Sequence, residues 1–142
     1  MNKDLIRARF AKSLATYNEN AKIQKRMAEK LISLLDSNSY SNILEIGCGT
    51  GFLTELIDKK IEFKKYTALD IVNQCEDYIK NINPQINFIN IDVEEFVSKN
   101  TEKYDLIISN ASLQWVNNFE EIIKKLKQNL PSSRMIPARN PY

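Results

Sequence analysis

Gly47, Gly49 and Gly51 are the only glycines in the chain and fall within five residues, in the string LEIGCGTG from Leu44 to Gly51. Glycine accepts positive φ and lets backbone N–H groups approach a ligand closely, and a helix that starts directly afterwards adds a partial positive charge. A loop of this kind suits a carboxylate or a phosphate, and three cofactor classes use related ones. A P-loop requires Gly-Lys-Ser/Thr, whereas Phe52 follows Gly51. A dinucleotide loop places its third glycine one residue later, which is again Phe52. Glu45, at the end of the preceding strand, repels a diphosphate but suits an ammonium or sugar hydroxyls.

Asp70 stands nineteen residues after Gly51 at the end of the next predicted strand, with Ile71 beside it. An acidic side chain there can accept two hydrogen bonds from a ribose diol, or can serve as an ordinary turn acid. Asp92 ends the third predicted strand, where it can accept from an adenine amino group while Val93 offers a backbone N–H. Asp92 can equally cap the helix that follows, and the two roles are compatible. A ligand with an ammonium, a carboxylate and a ribose diol but no phosphate meets these demands, and S-adenosylmethionine is such a ligand. The chain has no His, which removes histidine-based triads and histidine metal sites. Cys48 and Cys75 have neither the number nor the spacing of a zinc site or a disulfide framework, so free thiols and no metal are expected.

The elements that must position these residues follow from periodicity. Between Leu5 and Leu35 the pattern is helical, with Ile23, Met27, Leu31, Leu34 and Leu35 on one stripe and Asn18 able to cap the second of two helices. The cluster SNSYSN, Ser37 to Asn42, reads as a turn before a short buried strand, Ile43 to Ile46. A helix through Phe52, Leu56 and Ile57 follows, then a strand from Lys65 to Ile71, a helix from Asn73 to Asn81 and a strand from Ile86 to Ile91. A short helix at EEFV, a strand from Tyr104 to Asn110 and an amphipathic helix through Phe119, Ile122, Ile123, Leu126 and Leu130 complete the pattern. Alternating strands and helices imply an α/β fold with a parallel sheet covered on both faces. Beyond Leu130, Arg134 to Ile136 offers the start of a fifth strand, to which Pro137 and Pro141 are expected to deny a ladder.

With 142 residues, 43% of them hydrophobic and 27% charged, the chain suffices for one domain. Its net charge of +2 comes from scattered residues and gives no field that favours nucleic acid or an anionic membrane. The start, MNKDLIRARF, lacks the apolar core of a signal peptide and no run reaches spanning length, so a cytoplasmic location is expected.

The strings LEIGCGTG, ALD, NIDVEEF and YDLIISN resemble the successive cofactor-binding motifs of class I S-adenosylmethionine-dependent methyltransferases, over about Ile43 to Leu130. Two further strings, RFAKSLATYNENAKIQ from Arg9 to Gln24 and SNASLQWV from Ser109 to Val116, are similar to those of the malonyl-acyl-carrier-protein O-methyltransferases of biotin synthesis. The second is shared loosely with relatives such as trans-aconitate methyltransferase. The resemblance implies a Rossmann-like class I methyltransferase fold and methylation of the free carboxylate of a malonyl thioester, on acyl-carrier protein or coenzyme A. A carboxylate is ionised at pH 7, so attack on the sulfonium methyl needs no general base. No catalytic acid or base is therefore assigned. By the family pattern Tyr17 closes over the methionine end of the cofactor and Gln24 seats that helix. Asn110 faces the cofactor, and Gln114 and Trp115 line the acceptor side. Tyr17 as an aromatic before a cap, Gln24 as a solvated polar residue and Trp115 as core remain the plainer alternatives.

The resemblance divides the chain into an N-terminal helical lid segment, residues 1–36, a cofactor-binding core, residues 37–130, and an irregular tail, residues 131–142. Family members are about twice as long, and LPSSRMI stands where they usually have a proline-glycine-glycine turn into strand five. A chain truncated after strand four or the start of strand five is expected, with the edge of LIIS exposed and open to self-association. Another small-molecule methyltransferase and a non-catalytic cofactor-binding fragment are the competing expectations.

Overall fold

The computed structural model describes residues 2–14, 18–109, 121–122, 124–125 and 135–137. Two helices, α1 (Lys3–Leu14) and α2 (Asn18–Ser33), precede β1 (Ser39–Ile46), α3 (Phe52–Lys60), β2 (Glu62–Asp70) and α4 (Cys75–Ile82). They are followed by β3 (Asn87–Asn90), α5 (Val93–Lys99), β4 (Leu106–Ser109) and β5 (Met135–Pro137). The strands form one sheet in the order β3-β2-β1-β4-β5, with every pairing parallel. The chain winds outward from β1 through β2 to β3, then crosses to the other side of β1 for β4. The order reverses beside β1, and open sheets bind ligands at the carboxyl ends of the strands at such a point.

The runs ILEI and LIIS are apolar throughout because both sheet faces are covered. Ile43, Ala68, Leu106 and Ile108 face a cluster with Ala28 and Leu31 of α2, Leu53 and Ile57 of α3 and Ile79 of α4. Leu44, Ile46, Leu69 and Ile107 turn to the other side, where Val93, Phe96 and Val97 of α5 pack with Tyr104 and Ile122. This is the α/β architecture expected, and three local expectations change within it.

Ser39 to Asn42 is strand rather than turn. It pairs with β2 from Ser39↔Glu62 onward, and its polar backbone is satisfied from far along the chain. The Asp105 carboxylate accepts from the N–H of Ser41 and of Asn42, each at 2.7 Å, while Asn42 Nδ2 donates to the Lys103 carbonyl at 2.8 Å. Tyr40 is buried and its hydroxyl donates to Asp36 Oδ1 at 2.9 Å. We expect Asp105→Ala to fray this half of β1 at a cost of about 1–2 kcal/mol, read from urea unfolding, because two N–H groups lose a charged acceptor.

Pro137 does not prevent a fifth ladder. Met135 to Pro137 pairs with Ile107 to Ser109, and a proline is tolerated in this position because an edge strand needs N–H donors on only one side. The segment from residue 135 to 137 is therefore strand, not irregular tail. β4 lies between β1 and β5, so the edge of LIIS is not open over Ile107 to Ser109 and the argument for self-association through it lapses.

The apolar stripe of α2 is also rotated from its expected position. Ala28 and Leu31 are buried and Ile32 and Leu35 partly so, whereas Ile23 and Leu34 are exposed. A small alanine lets α2 pack closely against α3. Among the described residues, no helix is long and apolar enough to cross a membrane.

Candidate functional site

The carboxyl ends of β1, β2 and β3 gather Glu45, Gly47, Cys48, Gly49, Gly51, Asp70, Ile71, Asp92 and Val93. Gly47, Gly49 and Gly51 all have positive φ, at 71°, 56° and 91°. Their N–H groups are committed inside the protein. Gly47 and Cys48 both donate to the Leu69 carbonyl, at 2.8 and 3.0 Å, and Gly51 donates to the Cys48 carbonyl at 3.0 Å. Gly49 donates to Asp70 Oδ2 at 2.9 Å. The loop is thus a turn closed by its own hydrogen bonds, rather than the free N–H cradle that its glycines suggest in sequence.

Asp70 is the hub of this arrangement. Its Oδ1 accepts from the Val72 N–H at 2.9 Å, so each oxygen is held by a backbone donor. Its carbonyl accepts from the Ile91 N–H and from Asn90 Nδ2, both at 3.0 Å, which ties the end of β2 to that of β3. Burial raises the Asp70 pKa, while the N–H groups of Gly49, Val72 and Ile71 and the charge of Arg7 pull it down.

Glu45 is 1% exposed and points under α3. Its Oε1 accepts from Thr54 Oγ1 at 2.6 Å and from the Tyr66 hydroxyl at 2.5 Å, while Oε2 is buried without a partner. Burial pushes the carboxyl up to about 7 against the two hydroxyl donors, with the charge of Asp70 adding to the rise. The unsatisfied oxygen calls for a donor that the described residues do not supply, and an ammonium or a hydroxyl suits it. Thr54 and Tyr66 were missed in sequence. The available signal was Thr54, a polar residue on the apolar stripe of α3 beside Leu53 and Ile57.

Asp92 takes up the capping role. Its Oδ1 accepts from the Glu94 N–H at 2.8 Å, at the start of α5, and its Oδ2 pairs with Lys3 Nζ at 2.5 Å. Val93 is buried beneath it. The carbonyl of Ile71 accepts from Arg7 Nε at 2.5 Å. Neither Lys3 nor Arg7 stood out in the sequence, where they are two of twenty scattered basic residues. Gln24 lies half-buried on α2. Tyr17, Asn110, Gln114 and Trp115 lie outside the described residues.

Cys48 and Cys75 are buried free thiols. Burial pushes both up, with Glu45 and Asp70 adding to the rise at Cys48 and Asp70 at Cys75. Thiols so raised are poor nucleophiles, and nothing assigns them chemistry. Among the described residues no three potential ligands are grouped to hold a metal ion.

A parallel sheet with its glycine turn after the first strand and an acid closing the second defines a Rossmann-like class of domain. Comparison with known proteins narrows this. Residues 17–136 match the family model described as "Methyltransferase domain". The chain is 40% identical over 124 residues to the malonyl-[acyl-carrier protein] O-methyltransferase of Calditerrivibrio nitroreducens, covering 85% of this chain and 48% of that protein. It is 39% identical to the enzyme of the same name from Priestia megaterium, covering 96% of this chain and 51% of the other. The chain therefore spans about half the length of the curated relatives it matches. Its fold is similar to that of the N-methyltransferase NodS from Bradyrhizobium japonicum in complex with S-adenosyl-L-homocysteine. The TM-score is 0.67 at 23% identity, over 78% of this chain and 58% of that one. The chain belongs to the methyltransferase domain family.

Proposed function

We propose that this chain is the cofactor-binding part of an S-adenosylmethionine-dependent O-methyltransferase that acts on the free carboxylate of a malonyl thioester carried by acyl-carrier protein or coenzyme A. The observation that carries the cofactor reading is the buried pairing of Asp70 with the Gly49 N–H. An acid held in this position, beside a glycine turn, is of the type that accepts from ribose hydroxyls. Glu45 Oε2 supplies a buried acceptor near the amino-acid end. Asp92 and Val93 bracket the adenine, with Ile71 beside the ribose. The malonyl acceptor is supported by the relatives' names together with the Asn110 to Trp115 string.

When bound, the cofactor supplies a methyl group on a sulfonium. The residues of the chain have to align a carboxylate oxygen with that methyl and remove water, and alignment of this kind can contribute roughly 7–11 kcal/mol. Tyr17 and Gln24, in the helical lid of residues 1–36, close the methionine end. Asn110 faces the cofactor, and Gln114 and Trp115 line the acceptor side. A cytoplasmic site of action fits a thioester substrate.

Asp70→Ala is expected to weaken binding of S-adenosylhomocysteine about tenfold or more, since each charge-assisted hydrogen bond contributes about 1.5–3 kcal/mol. Equilibrium dialysis checks this, and an unchanged affinity returns Asp70 to the role of a turn acid. For the acceptor, malonyl-acyl-carrier protein is incubated with the cofactor and either this chain or a version completed with the remainder of a relative. Mass spectrometry should find a gain of one methyl group. Methylation of aconitate instead contradicts the malonyl reading and leaves the cofactor reading standing.

A further inference from the structure

α1 lies across the ends of β2 and β3, and polar contacts hold it there. Lys3 Nζ bridges Asp92 Oδ2 at 2.5 Å and Glu94 Oε2 at 2.8 Å, and Arg7 Nε donates to the Ile71 carbonyl at 2.5 Å. The three side chains of the ion cluster are only 21–29% exposed. Among the apolar side chains described on α1, Leu5 is 47% exposed and Ile6 half-buried. With Glu94 N–H on its other oxygen, Asp92 has both oxygens engaged. Desolvation pulls the Lys3 pKa down, yet its hydrogen bonds to the two carboxylates outweigh this and leave it raised.

We infer that Lys3 is an internal competitor for the adenine-binding edge: its ammonium occupies the donor position on Asp92 that a ligand's exocyclic amino group would fill, and α1 is a latch that must release before the base is seated. The inference rests on the assignment of Asp92 to the adenine edge. Glu94 Oε1 is buried without a partner, so the cluster has acceptor capacity left over once Lys3 withdraws. A helix tied down by a few partly screened ion pairs belongs among the segments of a protein that open most easily. Lys3 is therefore a positioning residue that controls access, and it makes no contact with the ligand.

Lys3→Ala tests this without harm to α1, since alanine is the best helix former. We expect the variant to bind S-adenosylhomocysteine about three- to tenfold more tightly than the unaltered chain, the range that two partly exposed pairs of this kind would hold back. Most of the gain should lie in the association rate. Lys3→Arg, which retains both pairs, should behave like the unaltered chain, and 0.5 M salt should narrow the gap between it and Lys3→Ala. Weaker binding by Lys3→Ala overturns the inference, because Lys3 would then help to hold the ligand. A second readout needs no ligand: hydrogen exchange of the α1 amides should quicken severalfold in Lys3→Ala while that of the sheet amides stays constant. Unchanged α1 exchange overturns the latch even if binding proves normal. Quickened exchange with no binding by any variant upholds the latch contact and defeats the cofactor reading instead.

Discussion

Gly51→Ala should lower the stability of the domain by about 2–3 kcal/mol in urea unfolding, although it adds a single methyl group. Two independent costs combine. The φ of 91° at Gly51 lies where a side chain is strained, which costs about 1–2 kcal/mol. The added Cβ would also run into Ile82 Cδ1, well inside van der Waals contact, and would touch Ile79 Cδ1 at 3.4 Å. Because the clashing atom is the end of a flexible side chain, this overpacking falls at the low end of the usual range, about 1 kcal/mol. Ile82 is only half-buried and Ile79 is fully buried, so Ile82 can give way while Ile79 cannot. The double variant Gly51→Ala, Ile82→Ala separates the two costs. It should recover the steric part and leave the backbone part, giving a coupling energy of about 1 kcal/mol or more between neighbours in contact. A loss below about 0.5 kcal/mol in Gly51→Ala, the range of ordinary surface changes, would show that the turn relaxes and that the third glycine is not required by the fold.

The second large effect concerns pH. Glu45 titrates near 4.5 in a free chain and near 7 in the folded protein. The native state therefore holds a proton between those values that the unfolded chain has lost. Stability is greatest below about pH 4.5 with respect to this group, declines as pH rises toward 7 and levels off above it. The total change is roughly 3 kcal/mol by linkage. Asp70, also raised, adds to the fall with the same sign in the range above its own ordinary value. In Glu45→Gln the contribution of Glu45 should vanish, so stability measured from pH 4.5 to 8 should slope less steeply than in the unaltered chain. The slope is the informative quantity, because glutamine retains an acceptor for Thr54 and Tyr66 but places a donor where Oε2 is buried. Equal slopes would mean that Glu45 is ionised across the whole range, already paired with a cation or water.

The carboxyl-end cluster of glycines and acids was legible in the sequence because local order decides it. A strand must end where three glycines begin, and an acid that closes the next parallel strand must lie beside that turn. What escaped was the use made of each group. The glycine N–H groups are bound by the Leu69 carbonyl, the Cys48 carbonyl and Asp70, and which acceptor meets which donor depends on the β1–β2 register. The strand through Ser39 to Asn42 was hidden for the same reason, since Asp105 satisfies it from more than sixty residues away. The short strand at Met135 was obscured by a proline rule that applies to interior strands and is relaxed at an edge. Lys3 and Arg7 left no trace at all, because a charge run looks alike whether it is solvated or docked on Asp92 and Ile71.

Titration calorimetry of this chain with S-adenosylhomocysteine tests the central claim most directly. The account predicts saturable binding at one site, weakened about tenfold or more by Asp70→Ala. No heat from the unaltered chain, together with no shift in its thermal unfolding at saturating ligand, would contradict it.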